Sequence, residues 1–181
     1  MTQIPNRKNL LINAGLFYLL WFAAVVGSGQ NMTWPALLTC LLIIVWQLHP
    51  SRRHPSDFKV LTVALILGLI ADSLWINMGL ISFTDARPFP ALSPLWILAL
   101  WAGFGLTINH CLYWLKHHPV LPVLSGTIGG PLSYYAGIRF GAVEYLEDVV
   151  TVSLYLAIGW TVSIMILVKV SRLTEAPAST G

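Results

Sequence analysis

The sequence predicts an all-α, polytopic membrane protein: a bundle of six transmembrane helices whose fifth is interrupted by glycine and proline. Three observations lead there. The chain of 181 residues is 56% hydrophobic and 9% charged, with a mean hydropathy of +0.74; soluble domains carry roughly 25% charged residues. The apolar residues fall into six runs, at 10–26, 34–48, 60–79, 95–115, 120–141 and 149–170. The basic residues gather in alternate connectors between those runs.

Each run approaches the roughly 17–25 residues that a tilted helix needs to cross a bilayer. Backbone groups in lipid must bond within their own segment, which makes helix the default. The first run follows Arg7 and Lys8 but has no small-x-small cleavage site, so it reads as a retained span rather than a signal peptide. The second is short and the fifth irregular. A count of six places Arg7, Lys8, Arg52, Arg53, Lys59, Lys116, Lys169 and Arg172 on one side. Arg87 and Arg139 fall on the other, with Asp85, Glu144, Glu147 and Asp148. That asymmetry predicts both termini in the cytoplasm. The net charge of +3 and pI near 9.0 belong to this pattern, and no nucleic-acid partner is expected.

Residues 1–172 read as one transmembrane domain and 173–181 as a short disordered cytoplasmic tail. The proline-rich loop 85–94 is expected to be ordered by its rigidity. No internal repeat is evident. Cys40 and Cys111 fall in opposite halves of the bilayer, roughly 10 Å apart in depth at ~1.5 Å per residue. A disulfide needs Cα atoms within about 7 Å, so both read as buried thiols.

Polar residues inside apolar runs are the candidate site, because lipid makes them costly. In the third run Asp72, Ser73 and Asn77 share an arc of about 140° at ~100° per residue. Asp72 is either a structural carboxyl bonded to a neighbouring helix or a proton-transfer group. In the fourth, Gly103, Thr107, His110 and Trp114 form a helical stripe, and His110 reads as packing or ligand-binding. No HExxH or CxxC occurs, and the loop histidines His49, His54, His117 and His118 give too weak a signal for a metal site.

The fifth run, SGTIGGPLSYYAGIRFGAVEYLED from Ser125 onward, is the least typical of a lipid-crossing segment. Gly126, Gly130, Ser133, Gly137 and Gly141 are spaced 4, 3, 4 and 4. Small residues in that pattern form a ridge against which another helix packs. Pro131 cannot donate to the carbonyl of Thr127, so the helix is expected to kink or split there. If split, Pro131 opens a half-helix whose positive end holds an anionic group. Tyr135 and Arg139, at i and i+4, lie on another face and join Asp72 as catalytic candidates. Asn77, Tyr134, Pro131 and His110 are the expected binding residues.

At GGPLSYYAGIRFGAV the chain resembles a bacterial inner-membrane family catalogued as domain of unknown function 2878. The resemblance extends to the Asn13…Trp21 region and to Asp72…Trp75…Asn77. It implies no established activity or cofactor. Members of the family are encoded beside enzymes similar to cyclopropane-fatty-acid synthases and lipid-modifying oxidoreductases, which implies a membrane lipid as partner. Three functions compete. They are an intramembrane enzyme or accessory factor of lipid modification, a small proton-coupled carrier, and a scaffold whose glycine ridge docks another membrane protein or a second copy. No cofactor can be named.

Overall fold

The computed structural model describes residues 7–173. The expected tail lies outside them except for Leu173, which caps the last helix. α1 (Arg7–Gly29) turns tightly into α2 (Trp34–Gln47), where Pro35 sits in the first turn and its missing N–H costs no bond. α3 (Asp57–Asn77) is followed by a short strand, β1 (Ile81–Phe83), and then by α4 (Leu95–Gly105). A 3₁₀ turn at Tyr113–His117 leads to α5 (Val120–Leu124), a π-turn at Ser125–Gly129 and α6 (Gly130–Arg139). β2 (Val143–Tyr145) and α7 (Val149–Arg172) complete the described chain.

α1, α3 and α7 are long and apolar enough to cross a membrane, and α2 and α4 are shorter apolar helices. Large apolar side chains such as Leu19, Leu41, Val45, Ile70, Leu132 and Ile158 are exposed. A surface of that kind suits hydrocarbon rather than water. The protein is all-α apart from one antiparallel strand pair, which periodicity did not signal. α4 is central, packed on α1, α2 and α3, and buries Trp96 and Trp101 almost completely.

The fourth expected span is shorter than the sequence suggests. Helix stops at Gly105, and Thr107, Ile108 and His110 donate backbone bonds three residues back instead of four. Gly103 and Gly105 weaken the helix here, and Thr107 turns its hydroxyl onto the Phe104 carbonyl at 2.6 Å. The stripe of Gly103, Thr107, His110 and Trp114 therefore does not form. The residues past Gly105 enter a polar network instead.

The fifth segment continues as a helical run through Pro131, with one turn widened just before it. The π-turn occupies Ser125–Gly129, and the amide of Gly130 returns to the carbonyl of Gly126. Extra width at this point accommodates the proline ring. The glycine ridge divides. A Cβ at Gly126 would lie 2.4 Å from the Thr161 backbone, and one at Gly130 would lie 2.4 Å from the Trp160 ring, so both glycines admit α7. Ser133 instead accepts a hydrogen bond from Trp21 of α1 at 3.0 Å. Gly137 faces Val143. Gly141 is not part of a helix ridge: it lies beyond α6 with φ +72°, a turn conformation that favours glycine.

A repeat does exist. Gly79 and Gly141, 62 residues apart, both take positive φ and end a helix in the same way. Gly79 N bonds to Ile76 O and Leu80 N to Trp75 O; Gly141 N bonds to Ile138 O and Ala142 N to Gly137 O, all at 3.0 Å. The strands that follow, GLISF and GAVEY, pair with Ser82 opposite Glu144 at the centre. Those two residues are themselves 62 apart, so a local two-fold axis passes between them. Followed back along α3 and α6, the same spacing relates Gly68 to Gly130 and Asp72 to Tyr134. Few identical residues mark it (Gly68/Gly130, Ile76/Ile138, Gly79/Gly141), and for that reason the sequence concealed it.

Candidate functional site

Asp72 is fully buried on α3, and both of its carboxyl oxygens are engaged. Trp101 of α4 donates its indole N–H to Oδ2 at 2.8 Å. Tyr134 of α6 donates its hydroxyl to Oδ1. Each partner is held by close packing: Gly68 leaves room for Trp101, as Gly130 does for Trp160. Trp101 and Trp160 stack at 4.4 Å and within 8° of parallel. Trp75 meets Tyr134 edge-on at 5.8 Å and rests on Gly159 of α7. Among the described residues no cationic side chain bonds Asp72; its partners are neutral donors.

Two adjoining spaces lie beside this pair, one of them lined by Tyr134. α1 packs along α2 and α4. It approaches α6 near the strand end through Trp21–Ser133, Phe22–Phe140 and the contact of Gly29 with the Phe140 carbonyl. Elsewhere between α1 and the fifth segment runs a groove of about 570 Å³, with Tyr18, Phe22, Leu112, Leu115, Gly129 and Leu132 along it. An inner cavity of about 50 Å³ continues from it, sharing Phe17, Trp21, Phe104, Ser133 and Trp160. The inner cavity ends on Tyr134 and Trp101, the two partners of Asp72. Asp72 itself stands behind them.

The pattern of the family described as "Protein of unknown function (DUF2878)" matches residues 10–166, which takes in both spaces and the Asp72–Tyr134 pair. The chain belongs to this family. No curated protein and no solved structure matches it.

Within this family member, the structure brings together only some of the residues singled out from sequence. Asp72 and Tyr134 meet. Tyr135 is one residue round the helix and exposed, so it faces away from the pair. Arg139 is also exposed and makes no hydrogen bond or ion pair among the described residues. The expected Asp72–Arg139 site is therefore not assembled, because the face of α6 that meets α3 carries Tyr134 and Gly137. Asn77 is exposed and donates to the carbonyls of Ser73 and Ala91 at 2.6 and 2.8 Å. Pro131 lies in the first turn of α6 and lines neither space. Trp101 and Trp160 were not singled out, although their indole N–H groups in apolar runs were a signal.

His110 belongs to a second buried network near the start of α3. Its Nε2 lies 2.9 Å from Asp57 Oδ2, and Asp57 also accepts from Asn109 at 2.9 Å and the His54 amide at 2.8 Å. A proton on Nε2 leaves Nδ1 to accept from the Gln47 amide at 3.2 Å. Asn13 donates to Gln47 at 2.9 Å, and Lys116 to Asn109 at 3.1 Å. Lys116, counted from sequence as a loop charge, is buried. The network joins α1, α2, α3 and the chain after α4, and it lines neither the groove nor the inner cavity.

The loop 85–94 is likewise ordered by more than its prolines. Arg87 forks onto Asp85 at 2.7 and 2.8 Å, and Thr33 donates to Asp85 at 2.5 Å. Trp96 donates to the Asp85 carbonyl at 2.9 Å. Burial raises the Asp85 carboxyl, but the bonds from Arg87 and Thr33 and the Arg87 charge outweigh it and hold it below the usual carboxylate range. At the other strand, Asp148 caps α7 by accepting from Val150 and Thr151 at 3.0 Å each.

Proposed function

We propose that the protein crosses the bacterial inner membrane six times, with both termini cytoplasmic, and acts on a membrane lipid. It is an intramembrane enzyme or accessory factor of lipid modification. One observation carries this reading: the groove beside α1 has mostly apolar walls and shares five lining residues with the cavity that reaches Tyr134. Apolar walls suit a hydrocarbon chain, and the few polar groups are concentrated at the inner end. Tyr134 is the group that meets the ligand. Asp72 positions it and exchanges a proton through it, since the phenol is bonded to the carboxyl and screens it from the cavity.

The test is the lipid composition of a deletion strain complemented with wild type, Asp72→Asn or Tyr134→Phe. Both variants preserve size, so both should accumulate at wild-type level yet fail to restore the lipid profile. Full restoration by both would make the pair structural. A second reading, a proton-coupled carrier, is favoured by the repeat, because carriers built from repeats place their site at the repeat interface near mid-membrane. Proton-driven uptake into vesicles that disappears in Asp72→Asn would identify it.

A further inference from the structure

The repeat that relates α3 to α6 also relates α4 to α7. Gly68 of α3 admits Trp101 of α4, and Gly130 of α6 admits Trp160 of α7, so the two tryptophans are equivalent. One residue before them, Leu100 and Gly159 are equivalent as well. Three residues after Asp72 and Tyr134, so are Trp75 and Gly137. These four residues define two matching contacts that differ in bulk. α3 packs on α7 with the Trp75 ring seated on Gly159, where an added Cβ would lie 2.5 Å from it. That contact is full. Its counterpart between α6 and α4 pairs Gly137 with Leu100, so an isobutyl group stands in for an indole. Both Gly137 and Leu100 line the inner cavity of about 50 Å³. The cavity is the space left where the second half lacks an equivalent of Trp75.

Protein interiors keep few voids larger than a water molecule, because a cavity forfeits packing. This one is several times the roughly 10–15 Å³ that a water needs, and its walls are mostly apolar. Hydrocarbon suits it better than water. The order of the lining residues says which part of a hydrocarbon ligand arrives there. In the chain from α4 onward, Ile97 lines only the inner cavity and Leu112 only the groove. On α6, Gly137 lines only the cavity and Leu132 only the groove. On α7, Trp160 lines both, while Ile164, nearer Lys169 and Arg172, lines only the groove. The groove thus lies toward the basic end and the cavity toward the strands, where Val143 lines it. Trp160 is nine residues before Lys169, roughly 14 Å at ~1.5 Å per residue. That is about half of a hydrocarbon core about 30 Å thick, the depth to which one acyl chain extends. A chain with its polar head at the basic end therefore brings its methyl end to the cavity.

We infer that the inner cavity receives the methyl end of an acyl chain lying in the groove, in the place that Trp75 fills in the other half, and that Leu100 and Gly137 set the chain length accepted. This rests on the lipid reading of the groove. The test displaces a fluorescent fatty acid from the purified protein with laurate or stearate, and in parallel with lauroyl or stearoyl lysophosphatidylglycerol. The pair that competes identifies the source of the chain as free acid or phospholipid. Wild type should prefer the stearoyl member. Leu100→Phe, which narrows the cavity, should weaken stearoyl binding about tenfold, the loss of roughly two buried methylenes, and leave lauroyl binding unchanged. Leu100→Ala, which widens it, should move the preference toward the still longer arachidoyl chain. Equal effects on both chain lengths in Leu100→Phe, or none, would overturn the inference while leaving the lipid site intact. Should Leu100→Phe fail to fold, an unchanged preference in Leu100→Ala would overturn it as well. Binding of none of these chains to wild type would instead remove the lipid reading beneath it.

Discussion

Single residues decide the two polar networks, and they are where the sequence was most and least informative. Asp72 was legible because a carboxyl in an apolar run demands a partner. Which partner it takes was not, since Tyr134 and Tyr135 are adjacent and differ only in their angle round α6. Asp57 was not singled out, because it stands just before an apolar run, and only the folded chain brings Asn109, His110 and the His54 amide onto it. Removal of that carboxyl takes the acceptor from three donors, two of them on buried side chains. Asp57→Ala should therefore lose about 3 kcal/mol or more, seen as a clear fall in the detergent melting temperature. Asp57→Asn should lose less. A melting temperature equal to wild type in Asp57→Ala would show that the network contributes little to stability.

At the level of elements, apolar runs located the helices well, but their ends depended on contacts that no single run contains. α4 stops at Gly105 because the following residues find side-chain partners on α1, α2 and α3. The strand pair needs two separate glycine turns to face each other. The ridge in the fifth segment was read as one surface and is in fact several contacts. Gly126 and Gly130 meet α7, while Gly129 faces open space. Gly130→Leu should cost about 1–3 kcal/mol by overpacking, whereas Gly129→Leu should leave thermal stability nearly unchanged. Equal losses would mean that the π-turn itself, rather than the α7 contact, governs tolerance there.

For the whole molecule, the proposed orientation rests on where the cations stand. Arg7, Arg52, Arg53, Lys59, Lys169 and Arg172 cluster at the end away from the strands, even with Lys116 buried in the polar network. A reporter fused after Gly181 should be active only in its cytoplasmic form, and one inserted at Phe89 only in its periplasmic form. The reverse result would invert the charge argument and the sense of the groove. The site at the strand axis bears on the molecule as a whole as well. A symmetric pair of carboxyls would treat its two flanks alike. One lobe presents an acid and the other a phenol, so the hydrogen bond between them has a closed back at Asp72 and a front at Tyr134, which lines the cavity. The asymmetry of the pair thus comes from one broken equivalence between two lobes that otherwise turn, cap and pair alike.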